Sequence, residues 1–351
     1  MNKEQLQWFE DLTQIDGVSG HEHDVAAYMD KAFRAMGADE IIHDQLGSLL
    51  AYKKSSNPDA KKVMILGHMD EVGFLVKQIM PSGALKLHPV GGWFSQNLLA
   101  HRFTLTTRDG KKLPGTIGSI PPHLLPADKR NAPIQIADML GDIGALDADD
   151  AKAMGVNVGD MIVIQGGFEV LNGGKRLLAK AFDNRYGCVM ALDLFNSLKD
   201  QDLDYDLYVG ASVQEEVGLR GAQTITQKVD PDFAIILDCS PANDIADAKA
   251  LGVLGQGVLI RMADGSMIAQ KSIINQFVDV CVKHDIKHQY YYSPGGTDAG
   301  IVHKSNHGVP TLTCCLVARN IHTSSSILDT EDYDGAKVAI TEFLGERPWD
   351  K

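Results

Sequence analysis

Four short apolar runs, residues 63–66, 207–213, 233–237 and 311–317, constrain this chain more than any other feature. Runs of this length bounded by polar residues read as strands buried on both faces, as in a sheet layered with helices. The residues just beyond each run are equally telling. The first leads to His68 and Asp70, the second to Glu215 and Glu216, the third to Asp238, and the fourth reaches His322 after a short loop. In open α/β sheets ligands gather at the carboxyl ends of the strands, so residues far apart in sequence are expected to meet in one crevice.

The rest of the chain sorts around that sheet. Leu6, Phe9 and Leu12 have helical spacing, and Ser19-Gly-His-Glu22 has the form of a capping box opening a second helix that ends near Gly37. A hairpin is expected around residues 44–52. From 72 to 172 the texture changes to short apolar runs separated by Gly, Pro and Asp-Gly turns, with a hairpin signal at Arg108-Asp-Gly-Lys111 and a further strand over 161–164. The expected architecture is therefore a layered α/β catalytic domain, residues 1–71 and 173–351, interrupted by an inserted β-rich domain over 72–172. A chain of 351 residues has the material for two cores.

A formal charge of -13 and the lack of a basic stripe argue against nucleic acid or anionic membrane as partners. No signal core or membrane-length apolar stretch interrupts the sequence, so a soluble cytoplasmic protein is expected. Cys188, Cys239, Cys281, Cys314 and Cys315 lack zinc-like spacing and are expected to be buried thiols.

Two imidazoles and several carboxylates without thiolates suit zinc, cobalt or manganese. Asp183, in Ala181-Phe-Asp-Asn-Arg185, joins them from just before a helical run that includes Val189, Met190, Leu192 and Leu194. Two ions so held would polarise a scissile carbonyl and generate a nucleophile near neutral pH, and a further carboxylate would shuttle the proton. Each residue alone has a structural explanation: a hydrogen-bonded histidine, a helix cap, a solvated charge pair. Their joint placement at strand ends points to a metal centre.

The segments Gly67-His-Met-Asp-Glu-Val-Gly73, Ala181-Phe-Asp-Asn-Arg185, Gln214-Glu-Glu-Val-Gly-Leu-Arg-Gly221, Leu237-Asp-Cys-Ser240, Gly295-Gly-Thr-Asp298 and Arg319-Asn-Ile-His322 resemble, in order and spacing, the glutamyl and tetrahedral aminopeptidase family of two-metal peptidases. The resemblance implies that Asp183 bridges two ions, with His68 and Asp238 completing one site and Glu216 and His322 the other. Glu215 would be the general base and Asp70 the partner orienting His68. Spacing alone leaves open which of the adjacent glutamates binds metal. The resemblance further implies that the insert is a dimerisation domain and that the chain forms homo-oligomers, tetrahedral dodecamers in related enzymes. It departs from the family's Arg-Tyr-x-His-Ser pattern at Asn320 and Thr323.

The glutamyl branch implies short peptides with acidic N-terminal residues as substrates. Arg261 is the candidate partner for their side-chain carboxylate, and Gly296 and Thr297 for contacts to the backbone. A two-metal carboxypeptidase or amide deacylase is a rival, because the same chemistry cleaves any unactivated amide. A metal-stabilised binding or assembly protein is a rival of another class.

Overall fold

The computed structural model describes residues 1–128, 130–247 and 249–350. The helix α1 (Lys3–Gln14) opens on a capping box, with Asn2 accepting from the Gln5 N–H and Gln5 accepting from the Asn2 N–H. The helix α2 (His23–Met36) ends at Gly37, whose φ of 88° suits a residue without Cβ. The capping box expected at Ser19–Glu22 does not form. Glu22 sits at the N-cap but makes no cap bond, because both side chains find partners inside the protein.

Strands β1 (Glu40–His43) and β2 (Leu49–Lys53) form the expected hairpin, and β3 (Lys61–His68) runs into the interior. The chain then leaves the sheet to build a closed six-stranded antiparallel barrel. Its strands are β4 (Gly73–Ile79), β5 (Leu85–Val90), β6 (Arg102–Thr106), β7 (Lys112–Ile117), β8 (Leu140–Asp142) and β9 (Met161–Ile164), with the short helix α3 (Ala148–Ala153) between the last two. The barrel has its own core around Phe74, Leu87, Phe103, Leu105 and Ile162. The strand β10 (Glu169–Leu171), inside the expected insert of 72–172, instead pairs with β11 (Arg176–Ala179) in the large sheet.

After α4 (Phe182–Leu198) come β12 (Tyr205–Ser212), α5 (Arg220–Val229), β13 (Phe233–Ala242), β14 (Val258–Ala263), α6 (Lys271–Lys283), β15 (His288–Tyr292), α7 (Ala299–Val302), β16 (Thr311–Arg319), β17 (Ser326–Asp329) and α8 (Thr330–Gly345). The main path of the sheet runs β1-β2-β12-β3-β13-β16-β17-β11-β10, with β12, β3, β13 and β16 mutually parallel. Alternation along β3 buries Val63 and Ile65 in a large core under α1, α2, α4, α6 and α8, and Met64 and Leu66 in a smaller one under α5 and α7. The unbroken apolar runs follow from this burial on both faces.

The topology places a crevice. β12 and β13 lie on opposite sides of β3, so the winding direction switches there. The β3–β13 ladder ends at Leu66 and Ile236, just before the polar ends of both strands. Gly67 lets α4 approach closely: a Cβ there would stand 3.0 Å from the Gly187 backbone.

Candidate metal centre

His68 ends β3 and is buried, with Nε2 at 3.2 Å from Asp183 Oδ1, 3.9 Å from Glu215 Oε2 and 4.0 Å from Asp238 Oδ1. His322 Nε2 lies 3.2 Å from Asp183 Oδ2 and 3.1 Å from Glu216 Oε1. Asp183 thus presents one oxygen to each imidazole. The six side chains come from the end of β3, the interior of β13, the segments that follow β12 and β16, and the start of α4, so the strands that the sequence pattern singles out do bring them together.

The Phe-Asp-Asn-Arg segment divides its work. Asp183 and Asn184 depart from helical geometry at the start of α4. Asn184 Nδ2 donates to Leu237 O at 2.7 Å, tying Asp183 to the strand that carries Asp238. Arg185, wholly buried, donates through Nε to Met69 O at 2.7 Å and through Nη1 to Leu12 O and Ile15 O. Removing any of these anchors would free the loop that presents an acid to both histidines.

The second nitrogen of each histidine is occupied. His68 Nδ1 faces Asp70 O at 3.1 Å and Asp70 Oδ1 at 3.3 Å, while His322 Nδ1 faces Gly92 O at 2.7 Å. Acceptors on Nδ1 select the tautomer that leaves Nε2 lone pairs for an ion. Gly92 belongs to the barrel, between β5 and β6, so the inserted domain supplies part of the centre. The adjacent Gly91, at φ 76°, has no room for a Cβ, which would stand 2.5 Å from Val72 Cγ1. Ala181, Gln214, Asn320 and His322 also have positive φ, so the backbone is strained where the segments carrying Asp183, the paired glutamates and His322 approach the centre. Asn tolerates that region better than most side chains, which suits it to position 320.

The electrostatics fit divalent cations. Burial pushes the carboxyls of Glu215, Glu216 and Asp238 up, and the charge of Asp183 adds to the rise of Asp238, which reaches about 8. Burial opposes charge on Asp183 too, but hydrogen bonds from His322 and His68 outweigh it and hold that carboxyl low. Burial disfavours the imidazolium of both histidines, yet their carboxylate partners raise them above the ordinary value. Glu216 Oε1 is buried without a well-aligned hydrogen bond. Such crowding of buried acids is what a bound cation relieves. Ligand atoms of His68, Asp183 and Glu216 lie within 4.8 Å of one another, as do those of His68, Glu215 and Asp238.

The raised histidines carry an expected result. An ion needs the neutral imidazole, so adding zinc to metal-free protein at pH 7 should release protons, and apparent affinity should rise with pH. Proton release into weak buffer, followed with an indicator dye, checks this. Zinc binding without release would contradict the imidazolium assignment.

Asp70 accepts from Ser19 Oγ at 2.6 Å and from the Glu215 and Glu216 amides as well as facing His68. Arg261 is not the exposed strand-end residue that spacing allows. It is 4% exposed, and its guanidinium donates to Ser240 Oγ at 2.8 Å, Cys239 O at 3.2 Å, Gly296 O at 3.4 Å and Asp264 Oδ2 at 3.5 Å. Thr297 is buried against the same Asp264. Gly296 and Thr297 therefore brace Arg261. Sequence reasoning missed Ser19, Glu22, Gly92 and Asn184 as parts of the site. It also missed Asp298, which accepts from Ser212 Oγ at 2.5 Å and is pushed up to about 7 by burial. All five cysteines are buried and free.

A doubly wound sheet with two imidazoles and four carboxylates converging near the ends of its parallel strands has the donor set that a metallohydrolase needs. The family model for M42 glutamyl aminopeptidase matches residues 47–338. The glutamyl aminopeptidase of Lactococcus lactis subsp. cremoris is 39% identical over 334 residues, covering 95% of this chain and 94% of that protein. Among solved structures, the TET aminopeptidase from the marine sediment archaeon Thaumarchaeota archaeon SCGC AB-539-E09 superposes with a TM-score of 0.93 at 35% identity, covering 97% of this chain and 96% of the other. The Pyrococcus horikoshii TET1 peptidase, described as assembling into a tetrahedron or a large octahedral shell, gives a TM-score of 0.85 at 27% identity, over 97% and 98% of the two chains. The chain belongs to the M42 glutamyl aminopeptidase family and is a metal-dependent aminopeptidase. Among the described residues no helix is long and apolar enough to cross a membrane.

Proposed function

We propose that this enzyme removes N-terminal residues from short peptides with two divalent ions, zinc or cobalt foremost and manganese compatible. Asp183 would bridge them, His68 and Asp238 would complete one site, and Glu216 and His322 the other. The observation that most directly supports this is Asp183, whose two oxygens each stand 3.2 Å from a different imidazole. Bound ions would polarise the scissile carbonyl and acidify water. Glu215 would take the proton from the attacking water and hand it to the leaving amine. Its carboxylate is the less engaged of the pair, 3.9 Å from His68, whereas Glu216 reaches His322 at 3.1 Å.

A preference for acidic N-terminal residues is proposed on the strength of the lactococcal relative. Arg261, already bonded to four groups, would bias the pocket by its charge rather than fork onto a substrate carboxylate. Gly296 and Thr297 would act through it. The barrel is proposed as a separate dimerisation domain within a homo-oligomer, a tetrahedral dodecamer by analogy with the Pyrococcus assembly. The exposed Phe94, Ile120 and Leu124 supply apolar surface there. Free buried thiols suit a reducing cytoplasm.

The test is amino-acid release from free and N-acetylated peptides by metal-stripped protein, before and after adding zinc, cobalt or manganese. The expected result is metal-restored cleavage of free peptides only, fastest at Glu or Asp, by particles of twelve chains in light scattering. Cleavage of blocked peptides would replace the aminopeptidase reading with a deacylase or carboxypeptidase one. Faster release of Lys or Leu would sink the acidic preference, and a stable monomer the assembly.

A further inference from the structure

The loop carrying Glu215 and Glu216 is held by three successive amides. The Gln214 N–H donates to Glu22 Oε1 at 3.0 Å, the Glu215 N–H to Asp70 Oδ1 at 3.0 Å, and the Glu216 N–H to Asp70 Oδ2 at 3.1 Å. Ser19 Oγ donates to the same Asp70 Oδ2 at 2.6 Å. Ser19 and Glu22 therefore grip both the carboxylate and the backbone that present the two glutamates, from one segment between α1 and α2.

That segment is itself fixed. The His21 N–H donates to Val18 O at 2.8 Å, and the Glu71 N–H donates to Gly17 O at 3.0 Å, tying it to the chain just beyond β3. Glu22 is 4% exposed and stands at the N-cap of α2, yet its side chain turns from the helix to the Gln214 amide. An N-cap acid usually accepts from its own helix, so the diverted bond serves another element. Gln214 is left-handed at φ 58°, a conformation that a glutamine holds only when its surroundings impose it. Adjacent glutamates exchange orientation when the backbone between them rotates. Fixing three consecutive amides prevents that rotation.

We propose that Ser19 and Glu22 are positioning residues, holding Asp70 and the 214–216 backbone so that Glu215 faces the reacting water and Glu216 faces the ions. This rests on the roles proposed for those two glutamates. The pair acts through hydrogen bonds accepted or donated, so the amide of glutamine replaces Glu22 and the hydroxyl of threonine replaces Ser19.

The experiment compares Glu22→Ala with Glu22→Gln, and Ser19→Ala with Ser19→Thr, in the full chain. Three quantities are read: kcat and KM of the zinc-loaded enzyme, zinc affinity of stripped protein by competition with a chromophoric chelator, and the melting midpoint of stripped protein. Loss of a group supporting a metal site costs roughly 10–100-fold in affinity or activity. Glu22→Ala should lose about that much in kcat or zinc affinity with KM nearly unchanged, and Glu22→Gln should recover most of it. Ser19→Ala should show a smaller loss of the same kind, relieved in Ser19→Thr. Wild-type kcat and zinc affinity in Glu22→Ala would overturn the proposal, as would a Glu22→Gln variant as impaired as Glu22→Ala, since charge would then be the operative property. If Glu22→Ala fails to fold, Glu22→Gln and the Ser19 pair carry the test. A wild type without turnover would sink the aminopeptidase reading, while the zinc affinities would still decide this one.

Discussion

Glu215→Ala is expected to lower kcat by roughly 10²–10⁴-fold, the usual contribution of a positioned acid–base group, while the protein keeps its ions. The physical case is its environment. Its amide is pinned to Asp70 and its carboxyl is pushed up by burial, with neighbouring acids adding to the shift, so it holds a proton more readily than a solvated glutamate. Such a group can accept a proton from water and deliver it to an amine within one cycle. Steady-state kinetics on a free peptide, with metal content measured on the same protein, checks both halves. A variant that turns over normally would remove the general base. One that loses ions would make Glu215 a ligand, in keeping with its closeness to His68 and Asp238.

Asp183→Ala should have the broader effect: loss of both ions, with affinity falling by more than the ~100-fold that removal of a supporting partner costs, and no measurable turnover. His68 and His322 each meet one oxygen of this carboxylate, so removing it unlinks the two halves of the centre at once. Asp238→Ala should weaken chiefly the half containing His68, because Asp238 lies 4.0 Å from that imidazole. Metal analysis after dialysis against a fixed zinc concentration distinguishes them. Two ions retained in Asp183→Ala would refute the bridge.

Five of the six residues brought together here were legible because they follow or end buried parallel strands, whereas Asp183, at the start of α4, stood out only through its Phe-Asp-Asn-Arg segment. Alternate residues face two cores, so the runs are mostly apolar, with only small buried polar residues such as Ser212 and Thr313 within them, and charged or imidazole side chains first appear at or near the strand end. β13 is the partial exception: it continues to Ala242, so Asp238 lies within the strand and not beyond it. The barrel hairpin was legible for a related reason, because Asp109-Gly110 forces the turn between Thr106 and Lys112. What failed were inferences from local pattern where a tertiary partner competed. Ser19 and Glu22 have the spacing of a capping box, but Asp70 and the Gln214 amide are the partners they meet. Arg261 ends a short apolar run, and the strand's continuation to Ala263 together with Asp264 buries it.

The sequence by itself determined the class of fold, a layered α/β sheet with a β-rich stretch after β3, and showed which chemically suitable side chains lie near the ends of its buried strands. These depend on short-range periodicity and on which residue types come after a buried strand. Only the tertiary structure decided what supports them: Gly92 of the barrel on His322, Asn184 on β13, and Ser19, Glu22 and Asp70 around the glutamate loop. Those contacts join segments separated by as many as 230 residues through single hydrogen bonds. A single hydrogen bond leaves no periodic trace in a sequence, so it becomes visible only when the sheet has brought its two ends together.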